Sequence, residues 1–138
     1  MFDIIPVTSG KSFDCGATCL KMLLAYYGQD VPLERLTAEC NTRIIGCTGG
    51  DLLRAGRAHG LDMRAYQMDA AELVRQDRPA IIHWRYVHWC VFCGLDGDGK
   101  AVICNPDNGR YRMSVGLLTS FFSGVAIFNG DPEPIEEE

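Results

Sequence analysis

The first third of the chain carries apolar residues at helical spacing. Between Cys15 and Tyr27 they recur at steps of one, three and four, which makes one broad apolar face of a helix. Gly28 follows as a C-cap, and Asp14 stands where an N-cap acceptor belongs. The first helical turn is therefore predicted to begin at or just after Cys15.

Two further helices are predicted before the pattern changes. One follows Pro32, with Leu33, Leu36 and Cys40 facing inward. The other runs from about residue 50 to residue 59; it is capped from the Thr48 side and stopped by a glycine at position 60.

The rest of the chain alternates apolar and polar residues in the manner of strands. Residues 61–68 predict a strand, and a short helix over 69–76 is expected before a proline at 79. Further short strands are predicted at 80–83, 87–95, 100–104, 111–113 and 125–128, with turns at 96–99 and 106–109. Because helices precede strands, the pattern favours an α+β domain in which a helical layer packs on an antiparallel sheet and leaves a cleft.

Length and charge narrow the class of protein. A chain of 138 residues, 47% of them apolar, suits one domain over residues 1–130, and the acidic residues 131–138 are expected to form a disordered tail. A net charge of -5 argues against nucleic acid as a partner. No apolar run approaches the ~20 residues of a membrane span, and nothing at the N-terminus is typical of a secretion signal, so a cytoplasmic location is expected.

Seven cysteines are many for this length, and their odd number excludes complete internal pairing. Reduced thiols are therefore expected. Cys90 and Cys93 form a CxxC pair, but residues three apart on a strand face opposite sides and no second CxxC follows, so neither a metal nor a cofactor is predicted.

Cys15 differs from the other cysteines because it lies at a predicted helix N-terminus. Unpaired amide groups there favour a thiolate, and the thiolate is the nucleophilic form of a cysteine. Gly16 leaves those amides unshielded, so the same turn is suited to donate hydrogen bonds to an oxyanion at an attacked carbonyl.

A cysteine nucleophile needs a base, and the chain offers three histidines. His59 ends a predicted helix, where a capping role is expected. His83 and His88 flank a four-residue segment among the strands, and the pattern alone does not separate them.

A third residue should orient the imidazole of the base. Asn105 ends the strand that the 96–99 turn makes antiparallel to the strand of His88, and the two residues lie at comparable distances from that turn. Asp107 and Asn108 are competitors, but their neighbours Pro106 and Gly109 are typical of a turn.

Several segments carry a resemblance to a known family. They are Asp14-Cys15-Gly16-Ala17, Tyr26-Tyr27-Gly28, Gly60-Leu61, Pro79 through Trp84, His88-Trp89-Cys90-Val91, and Ile103-Cys104-Asn105-Pro106 through Gly109. Together they resemble the bacteriocin-processing, double-glycine leader peptidases, a papain-like family usually fused to an ABC exporter. The resemblance implies a papain-like α+β fold, a stand-alone peptidase domain and a catalytic triad of Cys15, His88 and Asn105.

The sequence departs from the family's pattern at two positions. The orienting residue of the family is an aspartate, and here it is Asn105. The family has an oxyanion-hole glutamine six residues before the cysteine, where this chain has Ser9. Ser9, Lys11 or the backbone amides near Cys15 are the candidates to replace it.

The function that follows is cleavage of a peptide bond in a peptide or protein substrate, with a preference for small residues such as Gly-Gly before the bond. Two alternatives stay open: a non-catalytic peptide-docking module of the same fold, and an amidase or acyltransferase that uses the same three residues. The sequence does not indicate an oligomeric state.

Overall fold

The computed structural model describes residues 1–9, 12–43 and 46–132, and residue 12 by its backbone alone. The earlier expectations for Lys11 and for residues 133–138 of the acidic tail lie outside the described residues. Asp131, at the start of that tail, accepts hydrogen bonds from Arg64 at 2.8 Å and Tyr66 at 2.7 Å.

The predicted order of helices followed by strands is confirmed. A short 3-10 turn, Ser12–Asp14, leads into the first helix. The helices are α1 (Cys15–Tyr26), α2 (Leu33–Glu39), α3 (Gly49–Ala58), α4 (Ala70–Leu73) and α5 (Val115–Phe121). The strands are β1 (Met63–Gln67), β2 (Ala80–Trp84), β3 (His88–Leu95), β4 (Ala101–Asn105), β5 (Gly109–Met113) and β6 (Phe122–Asn129).

The six strands form one antiparallel sheet in the order β1-β6-β2-β3-β4-β5. Helices α1, α2 and α3 pack on one face, where Leu20, Leu36 and Leu52 meet Val91 of β3. This arrangement confirms the α+β class. The helices α4 and α5 cover the opposite face, which the sequence pattern had not indicated for α5.

Helix α3 begins with the cap that the sequence predicts. Thr48 Oγ1 accepts a hydrogen bond from the Asp51 N–H at 3.1 Å, and Asp51 Oδ2 accepts one from the Thr48 N–H at 2.9 Å. This reciprocal pair satisfies two amide groups at the helix N-terminus.

The predicted cap of α1 is wrong. Asp14 occupies the N-cap position, but its side chain accepts no hydrogen bond from the helix. The cause is the 3-10 turn, which gives Asp14 a nearly helical backbone (φ -90°, ψ 6°) in place of the extended one from which a cap side chain folds back. Thr18 Oγ1 instead donates to the Asp14 carbonyl at 2.8 Å.

All seven cysteines are free thiols. None of the helices in the described ranges combines the length and the hydropathy of a bilayer span. The same ranges contain no cluster of three His, Cys, Asp or Glu side chains arranged to hold a metal ion.

Candidate active site

Cys15 is the first residue of α1 and is 5% exposed. The first four N–H groups of an α-helix have no acceptor within the helix, so this end carries a partial positive charge. The Cys15 sulfur therefore lies at the end of the helix that carries this partial charge.

His88 is the first residue of β3, at the end of the β2–β3 hairpin, and its imidazole lies within hydrogen-bonding reach of the Cys15 thiol. The other side of the ring contacts Asn105: His88 Nε2 lies 2.9 Å from Asn105 Oδ1. Because an amide oxygen only accepts, Nε2 carries the proton and Nδ1 is the nitrogen left for the thiol. The structure thus brings the three predicted site residues together.

Asn105 ends β4 and is 7% exposed. The register pairs Val91 of β3 with Cys104 of β4, so Asn105 continues opposite Cys90, two residues from His88 and on the same face of the sheet. The sequence had placed His88 and Asn105 at comparable distances from the 96–99 turn. The register shift between Phe92 and Leu95 moves Asn105 from opposite Val91 to opposite Cys90, which makes it a diagonal neighbour of His88 on the same face.

Asp107 was a competing candidate, and the structure places it at the rim of the site. Its Oδ2 lies 3.6 Å from His88 Nε2, and its side chain is more than half exposed. Its backbone N–H donates to Asn105 Oδ1 at 2.9 Å. A residue that the sequence interpretation missed, Tyr111, accepts a hydrogen bond from Asn105 Nδ2 at 3.2 Å.

The surroundings of His88 favour its charged form. Burial lowers the pKa of the imidazole, but its hydrogen bonds with Cys15 and Asn105, together with the charges of Cys15 and Asp107, outweigh burial and raise the pKa above the ordinary histidine value. An imidazolium next to the sulfur is the partner that a thiolate requires.

The other two histidines lie elsewhere. His59 follows α3 and pairs with the Glu39 carboxylate of α2, so it links two helices. His83 pairs with Trp89 across the hairpin, and their rings lie 4.6 Å apart. Burial lowers the pKa of His83, so its neutral form is favoured.

Ser9, at the family's glutamine position, is tied to the loop after Asn105. Its backbone N–H donates to the Pro106 carbonyl at 2.8 Å, so this N–H is not available to donate to an oxyanion. Clefts open on both sides of the site. One of about 650 Å³ borders Ser9 and Asp14, and one of about 450 Å³ borders His88 and Asn105.

Gly16 is required for packing behind the nucleophile. A Cβ at this position would overlap the Cys47 sulfur and lie 3.3 Å from Leu52 and 3.4 Å from Trp89. Gly16→Ala is therefore expected to lower the free energy of unfolding by about 1–3 kcal/mol, as overpacking does. Urea denaturation followed by circular dichroism measures this loss.

Gly50→Ala provides the matched control for Gly16→Ala, because it is also a glycine in the first turn of a helix. Its nearest neighbour would be Thr48 Oγ1 at 3.7 Å, an ordinary contact. We expect no loss of stability there. Equal stability of the two variants would show that Cys47 moves aside without cost.

Comparison with known proteins identifies the family of the chain. A model of the Peptidase C39 family matches residues 4–133. The chain is 26% identical over 117 residues to the colicin V secretion/processing ATP-binding protein CvaB of Escherichia coli. It is 25% identical over 130 residues to the lactococcin-G-processing and transport ATP-binding protein LagD of Lactococcus lactis subsp. lactis. These matches cover 85% and 90% of this chain but only 17% and 18% of the two relatives, so the chain spans less than a fifth of their length.

Solved structures extend the comparison. A double glycine motif protease from an AMS/PCAT transporter, in complex with the leader peptide, is 27% identical, with a TM-score of 0.85 over 91% of this chain and 90% of that chain. The peptidase domain of Streptococcus ComA shares the fold at 24% identity, with a TM-score of 0.83 over 91% and 97% of the two chains. With a family model that spans almost all of its residues and a fold that these protease domains share, the chain belongs to the Peptidase C39 family, whose domains are cysteine peptidases.

Proposed function

We propose that this chain is a cysteine peptidase that cleaves a peptide bond after a small-residue motif such as Gly-Gly. In this proposal Cys15 is the nucleophile, His88 the general base and acid, and Asn105 the residue that orients the imidazole. One observation carries it: the His88 ring lies between the Cys15 thiol and Asn105 Oδ1, at the N-terminus of α1.

The reaction proceeds in two halves. The thiol proton passes to His88 before the attack, the Cys15 thiolate then attacks the carbonyl carbon, and the imidazolium protonates the leaving amine. The carbonyl half of the substrate remains as a thioester on Cys15. A water molecule attacks this thioester as His88 takes one of its protons, and the intermediate then expels the Cys15 thiolate and releases a carboxylic acid, which ionises in the solvent. The proton kept on His88 restores the thiolate–imidazolium pair.

The oxyanion formed in each half needs hydrogen-bond donors. The backbone amides of Cys15 and Gly16, in the first turn of α1, are the groups we assign to this role. Without a glutamine at position 9, turnover is expected to be lower, because loss of one such donor costs about 10²–10³ in kcat.

Apolar residues at the edge of the cleft fit a peptide substrate. Tyr86 and Val87 are 79% and 82% exposed and directly precede His88 in the chain. Their turn is held by the Tyr86 N–H, which donates to Ser123 Oγ at 2.7 Å, and by the Arg85 N–H, which donates to the Phe121 carbonyl at 2.8 Å. A fixed turn with exposed apolar side chains suits contact with a substrate peptide. The Gly-Gly preference rests on the leader-peptide complex of the related protease.

A cleavage assay tests the proposal. The protein is incubated with a peptide that contains Gly-Gly and, separately, with a matched peptide in which Leu-Leu replaces Gly-Gly. The masses of the products are then measured by mass spectrometry. We expect a fragment that ends in Gly-Gly, from the first peptide only, and no fragment with Cys15→Ala.

Other outcomes favour the alternatives. Binding of the peptide without cleavage would favour a docking module, which the serine at position 9 would explain. Release of an acyl group to an added amine, in preference to water, would favour an acyltransferase.

Asn105→Ala tests the orienting role through the pH profile. A hydrogen bond to a charged group contributes ~1.5–3 kcal/mol, so kcat/KM is expected to fall about 10- to 100-fold. Asn105 helps to raise the pKa of His88. The apparent pKa of the alkaline limb in the pH profile of kcat/KM should therefore lie above the ordinary histidine value in the wild type, and it should decrease in the variant. An unchanged limb would contradict this role.

A further inference from the structure

Asn105 presents an amide to His88, and an amide has two chemically different ends. The oxygen accepts a hydrogen bond from His88 Nε2, whereas the NH₂ group in its place would set one donor against another. A carboxylate would have no such problem, because both of its oxygens accept. A site with asparagine therefore requires something that selects one orientation of the amide.

Two contacts hold the amide in place, and the first of them selects its orientation. The backbone N–H of Asp107 donates to Asn105 Oδ1 at 2.9 Å, which marks that atom as the oxygen. Asn105 Nδ2 donates to Tyr111 Oη at 3.2 Å, and the phenol oxygen is able to accept. A flipped amide would set its NH₂ group against the Asp107 N–H and the donor at His88 Nε2, and it would lose both of those hydrogen bonds. The Tyr111 hydroxyl both donates and accepts, so it anchors the side chain in either orientation and supports the one that the Asp107 N–H selects.

The sheet explains why Tyr111 reaches this position. In the β4–β5 ladder Asn105 pairs with Gly109 and Ile103 pairs with Tyr111, so Tyr111 is the diagonal neighbour of Asn105 on the same face. Long aromatic side chains span such diagonals. Gly109 has no side chain in between, and burial of Tyr111 raises the pKa of its phenol, which stays neutral at neutral pH.

We propose that Tyr111 is a positioning residue: its hydroxyl accepts from Asn105 Nδ2 and thereby holds Asn105 Oδ1 toward His88. This inference rests on the proposed peptidase function for its effect on catalysis, but not for its effect on the imidazole. It predicts that loss of the Tyr111 hydroxyl lowers the pKa of His88 only while residue 105 is an asparagine, because an aspartate at position 105 presents an accepting oxygen to His88 in either orientation.

The test compares Tyr111→Phe in two backgrounds, the wild type and Asn105→Asp. The first readout is the pKa of His88 from an NMR titration of its ring, which needs no activity. The titratable groups that face His88 are Cys15 and Asp107, and the Asn105→Asp background adds a carboxyl at position 105. The effect of Tyr111→Phe is therefore measured within each background, where these groups do not change. Tyr111→Phe should lower the pKa of His88 in the asparagine background and should not lower it in the aspartate background.

The second readout is kcat and KM for a cleaved peptide. Tyr111→Phe should lower kcat about fivefold in the asparagine background, with KM unchanged, because one neutral hydrogen bond is lost while the Asp107 amide still holds the oxygen. In the aspartate background the loss should disappear.

Each outcome is decisive. Equal effects of Tyr111→Phe in both backgrounds would show a general packing role and overturn the proposal, as would no effect on His88 in the asparagine background. If the wild type cleaves no peptide while the NMR result stands, the peptidase proposal fails and the positioning of Asn105 by Tyr111 survives. If the wild type cleaves the peptide and the NMR result fails, the peptidase proposal survives and the positioning of Asn105 by Tyr111 is wrong.

Discussion

Cys15→Ala is expected to abolish peptide cleavage, with a loss in kcat on the order of 10⁴ or more. The physical reason is that no other group in the site is able to form the thioester: Cys15 is the cysteine at the start of α1, and the His88 imidazole faces it. Replacement by alanine leaves the helix intact, so the thermal unfolding midpoint should change little. The measurement is a progress curve of fragment formation.

Cys47→Ala is the control for Cys15→Ala, because it removes the sulfur that packs directly against Gly16. Hydrogen bonding to Cys40 and burial raise the pKa of the Cys47 thiol, so Cys47 is a poor nucleophile. This variant should retain kcat within about threefold, as expected of a group outside the reacting set. Comparable losses in the two cysteine variants would contradict the assignment of Cys15.

His88→Ala is the second large effect and should lower kcat about 10²–10⁴-fold, the usual contribution of a general acid–base residue. The loss has two sources, because His88 both takes the thiol proton and supplies a proton to the leaving amine. Its surroundings keep it charged to higher pH than a free imidazole, so the wild-type activity should persist above pH 7. Fragment formation across pH 5–9 measures both effects.

His83→Ala is the matched control for His88→Ala, five residues away on the same hairpin. Its ring packs against Trp89 at a tilted angle, so a modest loss of stability is expected and kcat should be nearly unchanged. If His83→Ala loses as much kcat as His88→Ala while both variants remain folded, the base has been assigned to the wrong histidine.

The start of the nucleophile helix was predictable from the sequence, whereas its cap was not. Apolar spacing from Cys15 onward and a glycine at position 28 were enough to locate α1. The capping role of Asp14 failed because the 3-10 turn that ends at this residue, which the sequence pattern did not predict, gives it a nearly helical backbone. Helix α5 was missed although Ser114 accepts a hydrogen bond from the Leu117 N–H at 3.1 Å, a cap that the sequence Ser-Val-Gly-Leu-Leu signals.

The choice between His83 and His88 required information that periodicity does not contain. Both flank the same turn, and the hairpin register pairs His83 with Trp89 and Trp84 with His88. A one-residue slip between β2 and β3 would put the two histidines on the same face. The family resemblance selected His88, and the structure brings this residue to Cys15 and Asn105. The contact of Tyr111 with Asn105 likewise depends on the β4–β5 register.

Residue-resolved alkylation with iodoacetamide tests most directly whether Cys15 is an activated nucleophile. The wild type and His88→Ala are labelled at pH 6 and digested, and the modified cysteines are quantified by mass spectrometry. We predict that Cys15 reacts at least about tenfold faster than Cys47 in the wild type, and that His88→Ala removes this difference. If Cys15 reacts no faster than Cys47 in the wild type, the central claim is wrong.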